Sequence, residues 1–242
     1  MKRIIFMMLG NIFYLPWAWI KLCIHAHNVD NYTDEEHMDL LKDIVKHANK
    51  AGRVTVDAYG VDNIPKKDGF VLFPNHQGMY DVLTILDTCP NKISVVVKKE
   101  VSKVQGLKQV FACMKAPFID RDDLKQSMKV IQQMTSDVKI GKNYVIFAEG
   151  TRSRDENKLL DFKGGSFKSA VKARCPIVPV ALIDAYKAFD TNSIKPVKIQ
   201  IHYLTPLLYE EYKNMKTIEI AEIVKKMIEK TIEKNIVTIQ HE

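Results

Sequence analysis

Cysteine is scarce and scattered in this 242-residue chain: Cys23, Cys89, Cys113 and Cys175 form no Cys-x-x-Cys pair. That spacing gives no metal site and reads as reduced thiols in a cytosol-facing protein. No Gly-x-Gly-x-x-Gly occurs, nor a phosphate-binding loop ending in Gly-Lys-Ser/Thr, so nucleotide-fuelled chemistry has no support. A Gly-x-Ser-x-Gly turn is missing too. Ser166 follows Gly164 and Gly165 but is trailed by Phe167 and Lys168, and is assigned to structure rather than to a Ser-His-Asp hydrolase. There is no internal repeat, low-complexity tract or second domain boundary. Basic residues are spread out and aromatics sit in apolar runs, which argues against a nucleic-acid-binding module.

Hydrophobic residues make up 46% of the chain, enough for a sizeable core. Thirty-six Lys and Arg against 29 Asp and Glu give a net charge of +7, which favours anionic partners such as phosphate esters and lipid head groups. The longest apolar run, Ile4 to Leu22, is "IIFMMLGNIFYLPWAWIKL". Its length roughly matches the ~20 residues of a bilayer span, Trp17 and Trp19 suit a head-group layer, and Pro16 is expected to kink a helix there. Lys2 and Arg3 precede the run, but no small-x-small cleavage pattern follows it. These basic flanks, with Lys21, give no inside-outside asymmetry, so a span and a segment lying in one leaflet both stand. Next, "YTDEEHMDLLKDIVKHANKAG" opens with a capping box, Thr33 to Glu36, and carries Met38, Leu41, Ile44, Val45 and Ala48 at helical spacing. That apolar face either packs on the chain's own core or joins the first helix in a membrane-associated hairpin.

After Gly52 short β-branched runs alternate with helical stretches. "RVTVDAY", "FVLF", "ISVVV", "YVIFA", "PIVPVAL" and "VKIQIHYL" are candidate strands, and helices are expected near 81–87, 123–139, 166–174 and 217–235. Strands alternating with helices predict an α/β fold with a largely parallel or mixed sheet covered by helices. Only "VKIQIHYL" alternates in polarity, as expected of an edge strand with one wet face. The organisation is thus an N-terminal apolar and amphipathic helix pair, residues 1–52, ahead of an α/β domain, residues 53–242.

Ligand sites of such sheets gather where strands end at their carboxyl edge. Two polar loops fall there: "FPNHQGMYD" after "FVLF", and "FAEGTRSR" after "YVIFA". His76 and Asp81 are five apart, about 140° around an ideal helix, so they meet only if His76 lies in a loop folded back over the helix that Asp81 begins. Pro74 and Gly78 suit such a loop. A histidine so held is fixed in one tautomer and works as a base, and with no protein nucleophile in view the proton comes from a substrate hydroxyl. Gly150 and Thr151 beside Arg152 and Arg154 suit a phosphate pocket, against the reading of Arg152 as a surface arginine.

"NHQGMYD" resembles the first motif, Asn-His-x-x-x-x-Asp, of the glycerolipid acyltransferases, the lysophosphatidic acid acyltransferase family. "VVVKKEV", "APFIDR", "FAEGTRSR" and "FKGGSFKSAVKARCPIVPVAL" are similar to its later blocks, in order, over about residues 70–182. One departure is Ala148, where the family has proline before Glu-Gly-Thr-Arg; its absence is expected to loosen the entry to that loop. The resemblance implies that His76 is the general base, oriented by Asp81, that deprotonates the hydroxyl of a lysophosphatidic acid for attack on the thioester of acyl-coenzyme A or acyl carrier protein. It implies that Arg121, Glu149, Gly150, Thr151 and Arg152 bind the glycerol phosphate, with Lys98 a further anion contact. No cofactor or metal is demanded, since a thioester is already activated. The tetrahedral intermediate needs an oxyanion site that the sequence does not identify; backbone N–H groups near Gly78 are one candidate. The resemblance further implies membrane lipids as partners, a membrane-associated location with the catalytic domain facing the cytoplasm, and phospholipid biosynthesis as the setting. Glycerol-3-phosphate or another lysophospholipid is the alternative acceptor, and a catalytically dead scaffold is the other reading.

Overall fold

The computed structural model describes residues 2–120 and 122–239. The apolar run folds as two helices, α1 (Lys2–Gly10) and α2 (Leu15–His27), bent by 99° at the break between them. The break lies before Pro16, not at it. Asn11 makes the corner, its Nδ2 donating to the carbonyls of Met7 at 2.9 Å and His47 at 3.1 Å. Pro16 occupies the first turn of α2, where a missing N–H costs nothing. No single described helix is long and apolar enough to cross a membrane, although α1 and α2 together have the length and composition.

Helix α3 (Asp34–Gly52) begins at the capping box: Glu36 N–H donates to Thr33 Oγ1 at 3.2 Å, and Thr33 N–H to Glu36 Oε2 at 2.7 Å. Its apolar face turns inward, with Met38, Leu41 and Val45 buried. Met7 of α1 packs so closely over Gly52 that a Cβ there would lie 2.1 Å from its Cε. At the other end of α1, Arg3 is fully buried. Its guanidinium donates to the carbonyls of Ala188 at 3.0 Å, Gly52 at 2.5 Å and Lys195 at 2.6 Å. Arg3 is therefore a structural staple rather than a basic flank.

The remaining elements are β1 (Val54–Tyr59), β2 (Val71–Pro74), α4 (Asp81–Thr88), β3 (Ser94–Val95), β4 (Val97–Lys98), α5 (Leu107–Cys113), β5 (Phe118–Ile119), α6 (Leu124–Lys139) and β6 (Tyr144–Val145). They continue with α7 (Lys168–Ala173), β7 (Ile177–Ile183), α8 (Tyr186–Phe189), β8 (Val197–Tyr203), α9 (Tyr209–Tyr212) and α10 (Thr217–Ile239). The main sheet runs in the order β1, β8, β7, β2, β6, β3, and β4 pairs with β5 apart from it. Every pairing is parallel except β7 with β8.

The strands place alternate residues in two apolar layers, one on each sheet face. Leu72, Val180 and Leu182 join a layer with Leu22, Leu41, Ile85 and Tyr80, so residues 1–52 share a core with the sheet. Val71, Phe73, Ala181 and Ile183 join the other, with Phe167, Val224 and Ile228. "VKIQIHYL" is not an edge strand: β8 lies between β1 and β7. Its alternation reports one face that is covered less fully than the other, open at Lys198 and closed at His202. Ile199 and Ile201 are fully buried, while Lys198 on the opposite face is exposed and pairs with Asp57 of β1.

The junction of α2 with α3 is built from imidazoles. His25 Nδ1 lies 3.2 Å from His37 Nδ1, His37 Nε2 lies 3.1 Å from the Val29 carbonyl, and His25 stacks on Tyr32. Burial lowers the pKa of His25 below 6.5, reinforced by His37 and Lys21 and opposed by Glu36. The unfolded chain then binds the proton more readily, so stability present above pH ~6.5 falls as the pH drops below it. Thermal melts at pH 7.5 and 5.5 should show this loss, and His25→Gln should reduce it; an equal loss in the variant would place the titration elsewhere.

Candidate active site

Because β2, β6 and β7 are parallel neighbours, the segments that leave their carboxyl ends meet at one edge of the sheet. These are the His76 loop, the turn around Glu149, and the stretch from Asp184 through α8. His76 sits in the loop, and its ring folds back over the first turn of α4, as the spacing requires. Nδ1 lies 2.7 Å from Asp81 Oδ2, with the His76 side chain 22% exposed and Asp81 fully buried. Asp81 is the first residue of α4, where helix-end N–H groups favour a carboxylate. It also accepts from the Gln77 N–H at 2.7 Å and the Gly78 N–H at 3.1 Å. Burial raises the Asp81 carboxyl above its ordinary value, against the lowering effects of His76 and the two N–H groups. With Nδ1 facing Asp81, Nε2 is the nitrogen left for a substrate. Phe147 stacks on the imidazole, ring centroids 4.0 Å apart.

Two further struts fix the loop. Asn75 and Leu182 of β7 exchange a pair of bonds, Nδ2 to carbonyl at 3.0 Å and N–H to Oδ1 at 2.7 Å. Gln77 accepts from the Ala185 N–H at 3.0 Å and donates to Asn157 Oδ1 at 2.6 Å. Both side chains are buried, and a buried amide in a loop requires partners. The sequence reading passed over these residues and Phe147, although each stands inside a quoted motif or beside it.

Glu149, expected among the phosphate contacts, instead lies under the loop. Its Oε1 accepts from the His76 N–H at 2.6 Å and its Oε2 from the Leu160 N–H at 2.8 Å, and only 2% of the residue is exposed. Burial raises its pKa, opposed by those two donors. Gly150 takes φ +78°, a left-handed conformation that suits glycine and turns the chain after Glu149. Thr151 is exposed and Arg152 partly so. The Arg152 Nη1 donates to Asp190 Oδ1 at 3.0 Å, and the Ser153 N–H donates to the His76 carbonyl at 2.9 Å. The loop entry at Ala148, expected to be loose without proline, is fully buried, and its carbonyl accepts from the Lys163 N–H at 2.9 Å.

The oxyanion expectation near Gly78 is corrected. The N–H groups of residues 76 to 79 all donate to carboxylates: His76 to Glu149, Gln77 and Gly78 to Asp81, and Met79 to Asp190. None is left for a developing oxyanion. Lys98 stands apart, on β4 in the smaller sheet, where it pairs with Glu100 at 2.9 Å. Arg121 lies outside the described residues. The structure therefore brings His76, Asp81, Glu149, Gly150 and Arg152 into one constellation and leaves Lys98 in another strand pair. Among the described residues no group of three or more His, Cys, Asp or Glu side chains is placed to hold a metal ion.

The chain is similar to known proteins. A family model described as acyltransferase matches residues 55–183, more than half of the chain. The sequence is similar to 1-acyl-sn-glycerol-3-phosphate acyltransferase alpha of Mus musculus, 28% identical over 214 residues that cover 83% of this chain and 70% of that protein. The Homo sapiens counterpart is 29% identical over 74% of this chain, which spans only 62% of its length. The 1-acyl-sn-glycerol-3-phosphate acyltransferase of Borreliella burgdorferi is 29% identical over 69% of this chain and 70% of its own. The crystal structure of the 1-acyl-sn-glycerophosphate acyltransferase PlsC from Thermotoga maritima has a TM-score of 0.76 with this chain at 22% identity, covering 96% and 92% of the two chains, and so has the same fold.

Proposed function

Because the chain belongs to the acyltransferase family, we propose that it transfers a fatty acyl group from an acyl thioester to the sn-2 hydroxyl of 1-acyl-glycerol-3-phosphate, giving phosphatidic acid for phospholipid biosynthesis. The observation that carries this reading is the 2.7 Å contact of His76 Nδ1 with the buried Asp81, in a loop at the carboxyl edge of the sheet beside Arg152. The names of the relatives support the acceptor.

In this reaction His76 Nε2 takes the hydroxyl proton as the acceptor oxygen attacks the thioester carbonyl carbon. The tetrahedral intermediate breaks its C–S bond, and the leaving thiolate takes the proton back from His76. An ester and a free thiol form, and the imidazole ends as it began. Asp81 fixes the tautomer and stabilises the imidazolium formed on the way. The guanidinium of Arg152 holds the acceptor's phosphate, with Gly150 and Thr151 shaping the turn that presents it and Arg121 as a further anion contact. Glu149 acts from beneath, by holding the His76 backbone. The thioester, of acyl-coenzyme A or acyl carrier protein, brings its own activation, so no step calls for a metal or cofactor.

The acyl chains need a lipid surface, and α1 and α2 offer one. Ile5, Met8, Leu9, Ile12, Phe13, Trp17 and Ile20 are all exposed, Phe13 at 96%. We assign residues 1–52 to membrane docking through this face, with α3 as the inner support, and residues 53–242 to the α/β domain that faces the cytoplasm. The net positive charge draws the protein to anionic lipid. Flotation with vesicles containing anionic phospholipid should recover the wild type, and replacing Phe13 and Trp17 together by serine should release it with the circular dichroism unchanged. Equal flotation of the variant would overturn the docking face.

The acceptor assignment is tested with labelled acyl-coenzyme A and acyl carrier protein against a panel of acceptors. Lysophosphatidic acid is expected to react at least tenfold faster than glycerol-3-phosphate or lysophosphatidylcholine. A preference for either of the latter would replace the acceptor while leaving the chemistry intact.

A further inference from the structure

We propose that Asp190 is a positioning residue that sets the Arg152 guanidinium for the acceptor's phosphate; this rests on the acyl-transfer reading above. Asp190 belongs to no motif and follows directly on α8. Its carboxylate spans two loops. Oδ1 accepts from Arg152 Nη1 at 3.0 Å, and Oδ2 accepts from the Met79 N–H at 3.1 Å. One acidic side chain therefore ties the loop that bears His76 to the arginine of the neighbouring turn.

Three features show that this contact is built in. The first is space: a Cβ on residue 78 would lie 2.4 Å from Asp190 Oδ2 and 3.0 Å from Tyr186 Cα, so glycine there keeps the approach open. The second is support. The Asp190 N–H donates to the Tyr186 carbonyl at 2.9 Å, and α8 is held from below by Arg3, whose Nε donates to the Ala188 carbonyl at 3.0 Å. The third is economy of donors. A guanidinium carries five N–H groups in a fixed fork, and Asp190 takes one of them at Nη1, so the rest of the fork remains for a phosphate.

Both side chains are partly exposed, Arg152 at 28% and Asp190 at 31%, so the pair adds little to global stability. Its effect is on orientation: a long arginine with many rotamers is held over the turn beside His76 before the acceptor arrives, which reduces the ordering cost of binding. Asp190 then contributes to acceptor affinity without touching the reacting atoms.

The test is a double-mutant cycle with Asp190→Ala and Arg152→Ala, read as KM and kcat on lysophosphatidic acid and on a phosphate-free 1-acylglycerol. Asp190→Ala is expected to raise KM for lysophosphatidic acid about tenfold with kcat within about twofold, and to leave KM for the 1-acylglycerol unchanged. In the Arg152→Ala background the same change should add almost nothing, because the residue it positions is gone. Asp190→Asn, which retains an oxygen for the Met79 N–H but turns an amide N–H group toward the Arg152 donor, should lose affinity as Asp190→Ala does. Additive losses in the cycle, or an equal loss on the phosphate-free acceptor, would show Asp190 acting through the shape of the Met79 turn and would overturn the proposal alone. No transfer to lysophosphatidic acid by the wild type would overturn the function reading and this proposal with it.

Discussion

His76→Ala is expected to lose acyl transfer to lysophosphatidic acid by a factor of roughly a hundred or more, the typical contribution of a general base. The geometry gives the reason. A hydroxyl is a weak nucleophile at neutral pH, and the side chain aimed at the mouth of the site with a basic nitrogen to spare is His76, its other nitrogen taken by Asp81. Asp81→Asn tests the same chemistry from behind. Gln77 N–H and His76 Nδ1 share Oδ2, so an asparagine that turns its amide nitrogen to the ring retains the Gly78 N–H on its oxygen and gives up that of Gln77. The amide then donates to Nδ1, which moves the ring proton to Nε2 and leaves no base facing the substrate. A loss comparable to that of His76→Ala is expected, with far-UV circular dichroism unchanged in both. Turnover by His76→Ala at the wild-type rate would remove the base role altogether.

The second large effect concerns stability. Arg3→Ala is expected to lower the free energy of unfolding by about 3 kcal/mol or more, since each buried acceptor left without a donor costs about 1–3 kcal/mol. Arg3 serves two such acceptors, on Ala188 and Gly52, and a third, partly buried one on Lys195. Burying a cation has its own cost, and burial lowers the arginine's pKa; removing the charge therefore returns some free energy, which is why the expected loss is not three times larger. Among the described residues Arg3 makes no ion pair, so no carboxylate is stranded by its removal. Arg3→Met retains much of the apolar stem and should recover only the packing share. Urea unfolding is the measurement: the midpoint should fall at constant slope, and a midpoint unmoved by Arg3→Ala would mean that water replaces the guanidinium at no cost.

Local features of this fold were legible before its structure. The capping box of Thr33 and Glu36, the two-sided burial of β2 and β7, and the folded-back position of His76 each follow from contacts within a few residues, where period and dihedral limits act directly. Order across the sheet was not legible. Alternation in β8 marks a face that is wet at Lys198 but buried at His202, and it was wrongly tied to an edge, since polarity reports what covers a strand and says nothing of its hydrogen-bonded neighbours. The Gly78 oxyanion expectation failed similarly: whether a loop N–H is free depends on carboxylates that arrive from 73 residues away, for Glu149, and 111 away, for Asp190. Lys2 and Arg3 read alike as flanking charge, and only the packed structure separates them. Of the quoted blocks, the His76 loop and the turn at Glu149 meet at the sheet edge where the sequence placed them, whereas Asp190, outside every block, left no local signal.

The Arg3 staple also sets an order of assembly. Its third acceptor lies 192 residues further along the chain. Until Lys195 has been synthesised the guanidinium has at most two of its partners, and until Ala188 only one. Through most of translation α1 must wait with an incomplete socket and an apolar face uncovered. Helix α1, made well before its partners, is thus among the last segments to be locked, and a lipid surface or a chaperone that shelters it meanwhile would act on folding yield as much as on location.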